Sequence, residues 1–177
     1  MRYYTLYLVA LILVSFGCNN TTKQQPDTIE EVSENIKNIT QNDIKSLKFD
    51  DFTLSEDSKK ALEDWQKYQE LNEQIGYVNQ ADFSFFNGEK SILKTFINDL
   101  KTEMPESIKT TPLQSRITVL ETKILKLNST LKLDNINKTE QLKAVKELLI
   151  AMANLNLQIN KKFELEANLV EKNNTIE

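Results

Sequence analysis

The stretch "TPLQSRITVLETKILKLNSTLK", Thr111–Lys132, decides the fold. Leu113, Ile117, Leu120, Ile124, Leu127 and Leu131 recur at spacings of 4, 3, 4, 3 and 4. That period puts every one of them on a single helical face, as in a coiled-coil seam. Thr111 reads as an N-cap, Pro112 as the first helical residue and Gln114 as the return arm of a capping box. A helix with one wide apolar face must bury it, so the neighbours matter next.

Downstream, "LDNIN" is a short connection, and Asn137 with Glu140 offers a second capping box. The following segment carries Leu142, Val145, Leu149, Met152, Ile159 and Phe163, with Leu148 and Leu155 widening the stripe. It should be the most buried helix and should run to Lys172, about 50 Å at 1.5 Å per residue. A short link makes these two helices antiparallel neighbours. Upstream, Leu62, Trp65, Tyr68, Leu71, Ile75 and Val78 define a helix over 55–78. Leu93, Phe96, Ile97, Leu100 and Met104 define another over 89–104, closed by Pro105, which cannot continue the ladder. No segment alternates with the period of a strand. The expected architecture is all-α: an up-and-down antiparallel bundle of three to four helices, residues 55–177, with a long C-terminal helix.

Composition removes several function classes. The chain has 177 residues, no histidine, one cysteine, three glycines and three prolines. Without histidine there is no His-based triad, His metal site or His pH switch. Three glycines cannot build a phosphate-cradling loop or a dinucleotide fingerprint. The 22 basic against 26 acidic residues give a net charge of −4, which argues against a nucleic-acid partner. No cofactor and no metal are expected.

The single cysteine lies in "LILVSFGCNN", Leu11–Asn20. Arg2 precedes fourteen residues, "YYTLYLVALILVSF", that carry no charge. This is the length of a secretory apolar core and is short of the roughly 20 residues a membrane span needs. With Gly17 directly before the cysteine, "SFGC" resembles the lipobox of bacterial lipoproteins; Ser15 stands where leucine is common. The resemblance implies cleavage between Gly17 and Cys18, a thioether-linked diacylglyceryl group on Cys18 and acylation of the new amino terminus. It covers residues 1–17 as signal peptide and Cys18 as lipid attachment. Independently, a lone exported thiol is an oxidation liability that acylation removes, and two or three acyl chains anchor stably. Loss of Arg2 with the signal leaves the mature chain at −5.

Residues 18–54 read as a flexible tether. Within it Ile29, Val32, Ile36 and Ile39, with Thr28 and Glu31 as a capping box, allow one short amphipathic helix that is marginal in isolation.

Three constellations remain. "ADFSFF", Ala81–Phe86, gathers Phe83, Phe85 and Phe86 beside Asn87-Gly88. They are candidate partner contacts, although rings of this size more often plug the end of a core, with Asp82 as a cap. Arg116, the sole arginine after cleavage, is a candidate contact for an acidic group, against the commoner surface pair. Glu63, Asp64, Glu70 and Glu73, interleaved with Lys59, Lys60 and Lys67, read as a solvated face. The triplets at Asn38 and Asn128 read as chance.

The expected function is a lipid-anchored envelope protein without enzymatic activity, a binding or scaffolding module whose partners are the membrane, through Cys18, and an envelope protein. The rival is a helical-bundle carrier or enzyme with an apolar ligand site inside the bundle. By resemblance to lipoproteins with a sorting rule, Asn19 after the cysteine points to the outer membrane where two membranes exist. The lack of an acidic cluster there points to the periplasmic face. Cys18→Ala should abolish metabolic palmitate labelling while leaving helicity and melting unchanged. Wild-type protein that takes up no label, in cells that label their other lipoproteins, contradicts the anchor.

Overall fold

A computed structural model describes residues 39–174. Gly17, Cys18 and the segment Thr28–Asn38, with the sequence expectations attached to them, lie outside the described residues. Among the described residues six α-helices follow in order: α1 Gln41–Lys45, α2 Glu56–Ala61, α3 Gln66–Val78, α4 Lys90–Thr102, α5 Thr111–Lys132 and α6 Lys138–Asn174; a 3-10 turn, Glu106–Ile108, precedes α5. Among the described residues there is no strand, and no helix is long and apolar enough to cross a membrane. The all-α fold with a long C-terminal helix is the observed one.

The pair α5–α6 is the centre. The seam residues Leu113, Ile117, Leu120, Ile124 and Leu127 are buried, and they face Val145, Leu148, Met152, Leu155 and Ile159, buried on α6. Burying each such side chain contributes about 1.5–3 kcal/mol relative to exposure, so this seam outweighs any single polar contact. Glu147 bridges the pair, taking Lys126 at 2.8 Å and Lys123 at 2.9 Å. Those two bonds, Lys126 first, hold the Glu147 carboxyl below its ordinary range.

The antiparallel order continues outward. Lys132 reaches Glu89 at 3.8 Å, and Lys101 pairs with Glu121 at 2.5 Å, which sets α4 antiparallel to α5. Trp65, at the start of α3, donates its indole N–H to the carbonyl of Leu100, at the end of α4, at 3.1 Å. Tyr68, on α3, donates to Asn156 on α6 at 2.7 Å. The helices therefore run up, down, up, down around one core.

Three local expectations differ from the structure. The helix expected over 55–78 is broken at Leu62–Trp65. Leu62 and Trp65 are both fully buried there, and the break lets α2 lie on α6 while α3 follows α4. The carbonyl of Leu62 accepts from the Trp65 amide at 3.0 Å and from Gln69 Nε2 at 2.9 Å, so it is not orphaned. Tertiary burial overrides local propensity here. Secondly, α5 is capped by Thr110 with no side-chain hydrogen bond, rather than by a Thr111–Gln114 box. Proline is tolerated anywhere in the first turn, so the periodicity did not fix that register. Thirdly, the packed chain begins before Ser55. Ile44 is buried in the core cluster, and Ile39, Leu47, Phe49 and Leu54 pack against it.

Asn128 is the one polar residue buried within the α5 stripe. Its Nδ2 donates to the carbonyls of Phe86 at 2.8 Å and Gly88 at 2.9 Å, tying the aromatic loop to α5. A Cβ at Gly88 would sit 3.0 Å from the carbonyl of Phe85, tighter than ordinary contact, so a larger residue there requires the loop to give by a few tenths of an ångström. Asn128→Ala should leave both carbonyls without that donor and cost about 1–3 kcal/mol of unfolding free energy in a denaturant titration. An unchanged midpoint would show that the amide does not hold the loop.

Candidate binding groove

The aromatic loop is a core plug rather than an open platform. Phe86 is buried, and Phe83 and Phe85 are half-buried against the core. Phe85 meets Phe86 at 5.0 Å and Phe96 at 5.1 Å between ring centroids, both edge to face. Asp82 accepts from the Ser84 amide at 2.8 Å, and bonding to Ser84 holds its carboxyl below the usual range. Arg116 is exposed and forms no ion pair with a described residue. It lies on α5 twelve positions from Asn128, about 18 Å along the helix, so the structure does not bring Arg116 to the phenylalanines. The carboxylates of α3 sit on its outer face: Glu70 pairs with Lys67 at 2.8 Å, and Glu73 accepts from the Tyr77 hydroxyl at 2.9 Å.

The feature that sequence reasoning missed is the segment between α1 and α2. Thr40 and Asp43 form a capping box on α1, with the Thr40 amide bonded to Asp43 Oδ2 at 2.7 Å. Asp43 also pairs with Lys138, the first residue of α6, at 2.8 Å. The Lys138 bond, followed by those from Thr40, lowers the Asp43 carboxyl from 3.8 to about 2. At the other end of the segment, Asn160 accepts from the Ser55 amide at 2.9 Å and donates to the Thr53 carbonyl at 2.8 Å. Asn156 donates to the Phe52 carbonyl at 2.9 Å. Lys138 and Asn160 are separated by about 33 Å along α6. Helix α1 and its closing turn carry the chain to Leu47 at helical rise, so the stretch from Leu47 to Ser55 has to span most of that distance, against a reach of about 3.3–3.6 Å per residue. It is a strap clamped at both ends.

Alternate strap residues, Phe49, Asp51 and Thr53, line a groove against Asn72, Ile75, Gly76 and Asn79 of α3 and Leu149, Met152 and Asn156 of α6, of about 230 Å³. This twofold alternation is the side-chain period of an extended chain. The groove opens at Thr53, Asn72 and Asn156 into a wider one of about 890 Å³, rimmed by Glu56, Lys59, Lys60 and Glu63 and floored by Tyr68 and Gln69. Lys59 and Glu56 pair with each other at 2.6 Å. Burial pushes the Tyr68 phenol up, so it is a neutral donor to Asn156 at any physiological pH. The narrower groove is lined by amides, the Thr53 hydroxyl and the Asp51 carboxylate over an apolar floor at Ile75, Leu149 and Met152, and the wider one is rimmed by charge. Such a surface can hold polar backbone and one apolar side chain. No acid–base pair or nucleophile with an activating base is assembled in it.

Comparison with protein-family models, with curated proteins and with solved structures finds no match to this chain. The chemistry of the groove therefore stands on its own residues.

Because Asp43 is depressed when folded, its contribution is complete above its unfolded value of about 3.8 and is lost as the pH falls through 2. Carboxyl NMR should give a midpoint near 2 for Asp43 in the native protein, returning towards 3.8 in Lys138→Met. An ordinary midpoint in the wild type would refute the α1–α6 clamp.

Proposed function

We propose that the chain is a lipid-anchored protein of the bacterial cell envelope, held by acyl chains on Cys18 and acting as a non-enzymatic binding or scaffolding module. The membrane is one partner: where there are two membranes, Asn19 in place of a retention aspartate after the cysteine supports the outer one, and the lack of an acidic cluster there supports its periplasmic face. The second partner is an envelope protein.

The observation that carries the binding reading is the contrast between the core and the groove. The core is closed by large side chains such as Trp65, Phe86, Leu100 and Leu148, and among the described residues no buried side-chain polar atom lacks a hydrogen-bond partner. A carrier or enzyme of the rival kind needs an apolar site within that core. What the chain offers instead is an open amide-lined groove on its surface, which suits a partner that stays largely outside. The carboxylate–lysine pair at its rim, Glu56 and Lys59, is exposed and engaged with itself.

Affinity purification from detergent-solubilised envelopes, followed by native mass spectrometry, tests this. The expected result is a reproducible protein partner and a bundle with no small molecule beyond its acyl chains. An apolar compound retained at unit stoichiometry by Cys18→Ala protein would move the assignment to a carrier.

A further inference from the structure

Helix α1 and the strap are held differently from the rest of the molecule. Of residues 39–54 only Ile44 is buried, while Ile39, Leu47, Phe49 and Leu54 are half-buried against the core. Among the described residues no backbone–backbone hydrogen bond joins this stretch to α3, α4, α5 or α6. Its polar holds come from side chains and lie at two places. Asp43 meets Lys138 at 2.8 Å at one end, and Asn156 and Asn160 take Phe52, Thr53 and Ser55 at the other.

The two ends depend on each other. α1 has five residues, too few for a helix that stands alone in water, so it persists only while packed. When one end lets go, the other must order the same chain with its own contacts alone. The bundle does not depend on either end, since the α5–α6 seam, the Trp65 bond to Leu100 and the Tyr68 bond to Asn156 involve no strap residue. The strap is also the covalent path from the bundle to Cys18. Closed, the chain meets the bundle at Asp43, beside the first residue of α6. With the strap released, the first fixed residue is Ser55, the N-cap of α2, about 33 Å further along α6.

We propose that residues 39–54 are a releasable extension of the tether: α1 and the strap leave α3–α6 as one unit while the bundle from Ser55 stays folded. This rests on the reading of Cys18 as the lipid anchor and adds a conformational device to it. Opening moves the attachment of the anchor from the α5–α6 turn to the start of α2. It also adds the stretch 39–54 to the tether, about 55 Å at full extension. A bundle bound to an envelope partner while its acyl chains stay in the membrane loads this one path, and opening relieves the load by lengthening it. The unit is N-terminal to the bundle, so its release breaks no helix of the core.

The test is amide hydrogen exchange in the full mature chain, residues 18–177, without its lipid. Ser46 and Leu47 are hydrogen-bonded at one end of the unit and Ser55 at the other. Asn160→Ala touches only the Ser55 end, yet it should speed exchange at Ser46 and Leu47 by about tenfold or more and leave Leu120 and Ile124 unchanged. Lys138→Met, at the opposite end, should do the same to Ser55. Substitutions that speed only the amides beside them would mean two independent clasps, and seam amides that speed equally would mean that the strap opens only with the whole bundle; either result overturns the proposal. A nitroxide on Cys18, the one thiol of the chain, reads where the tether attaches. In the double variant its broadening of amide signals should move from the Leu133–Asn137 turn towards Glu56–Ala61, and broadening that stays at the turn contradicts the release. Neither readout needs an acyl chain, so their failure is separate from that of the anchor reading. Wild-type protein without palmitate label would remove the tether's role whatever the exchange shows.

Discussion

The antiparallel contact between α5 and α6 is the constraint on which everything else rests. A connection of five residues, Leu133–Asn137, forces the two helices side by side, and the seam from Leu113 to Leu127 then has one place to go. Once that pair exists, its two remaining apolar flanks dictate the rest. α4 covers one, with Lys101–Glu121 and Lys132–Glu89 marking its direction. α3 follows α4, pinned by the Trp65 indole on the Leu100 carbonyl, while Trp65 stacks on Tyr68 of its own helix at 5.3 Å. Surface ion pairs contribute about 0–1 kcal/mol each, so they record this arrangement more than they create it.

The strap follows from the same geometry. α3 and α6 are joined through side chains, Tyr68 to Asn156, rather than by close backbone approach, and the gap between them has to be covered. The segment that covers it has its backbone held from α6. Asn156 and Asn160, one turn apart on α6, supply that hold with both amide and carbonyl groups. The coverage is incomplete, and what is left open is the groove. A rigid seam thus carries a segment held at few points, so stability is unevenly divided between the two.

Much of this was legible in the sequence. The heptad of Thr111–Lys132 and the stripes of the flanking helices are consequences of a 3.6-residue period, and most residues named from it are buried, from Leu62 and Trp65 through Ile159, while Leu131, Leu142 and Phe163 are only partly so. The break at Leu62–Trp65 was not legible, because both residues sit on the same helical face whether or not the helix continues. The strap was hidden for a related reason. "LKFDDFTLS" has neither helical period nor a partner strand, and its order comes from two asparagines about a hundred residues away. In the sequence Asn156 and Asn160 look like ordinary members of an asparagine-rich helix. Phe83, Phe85 and Phe86 gave a correct sense of a special loop, yet only packing tells a plug from a platform. The C-terminal part of α6 showed its limit too, since Leu165 and Leu169 continue the apolar spacing but are exposed at 63% and 61%.

Hydrogen exchange of backbone amides in the free protein reads the division between seam and strap directly. Amides of Leu120, Ile124, Leu148 and Met152 should exchange only through global unfolding, while those of Lys48–Leu54 should exchange orders of magnitude faster, with Ser55 protected beside them. Strap amides as slow as those of the seam would mean that the segment is held along its whole length and not only at its two ends.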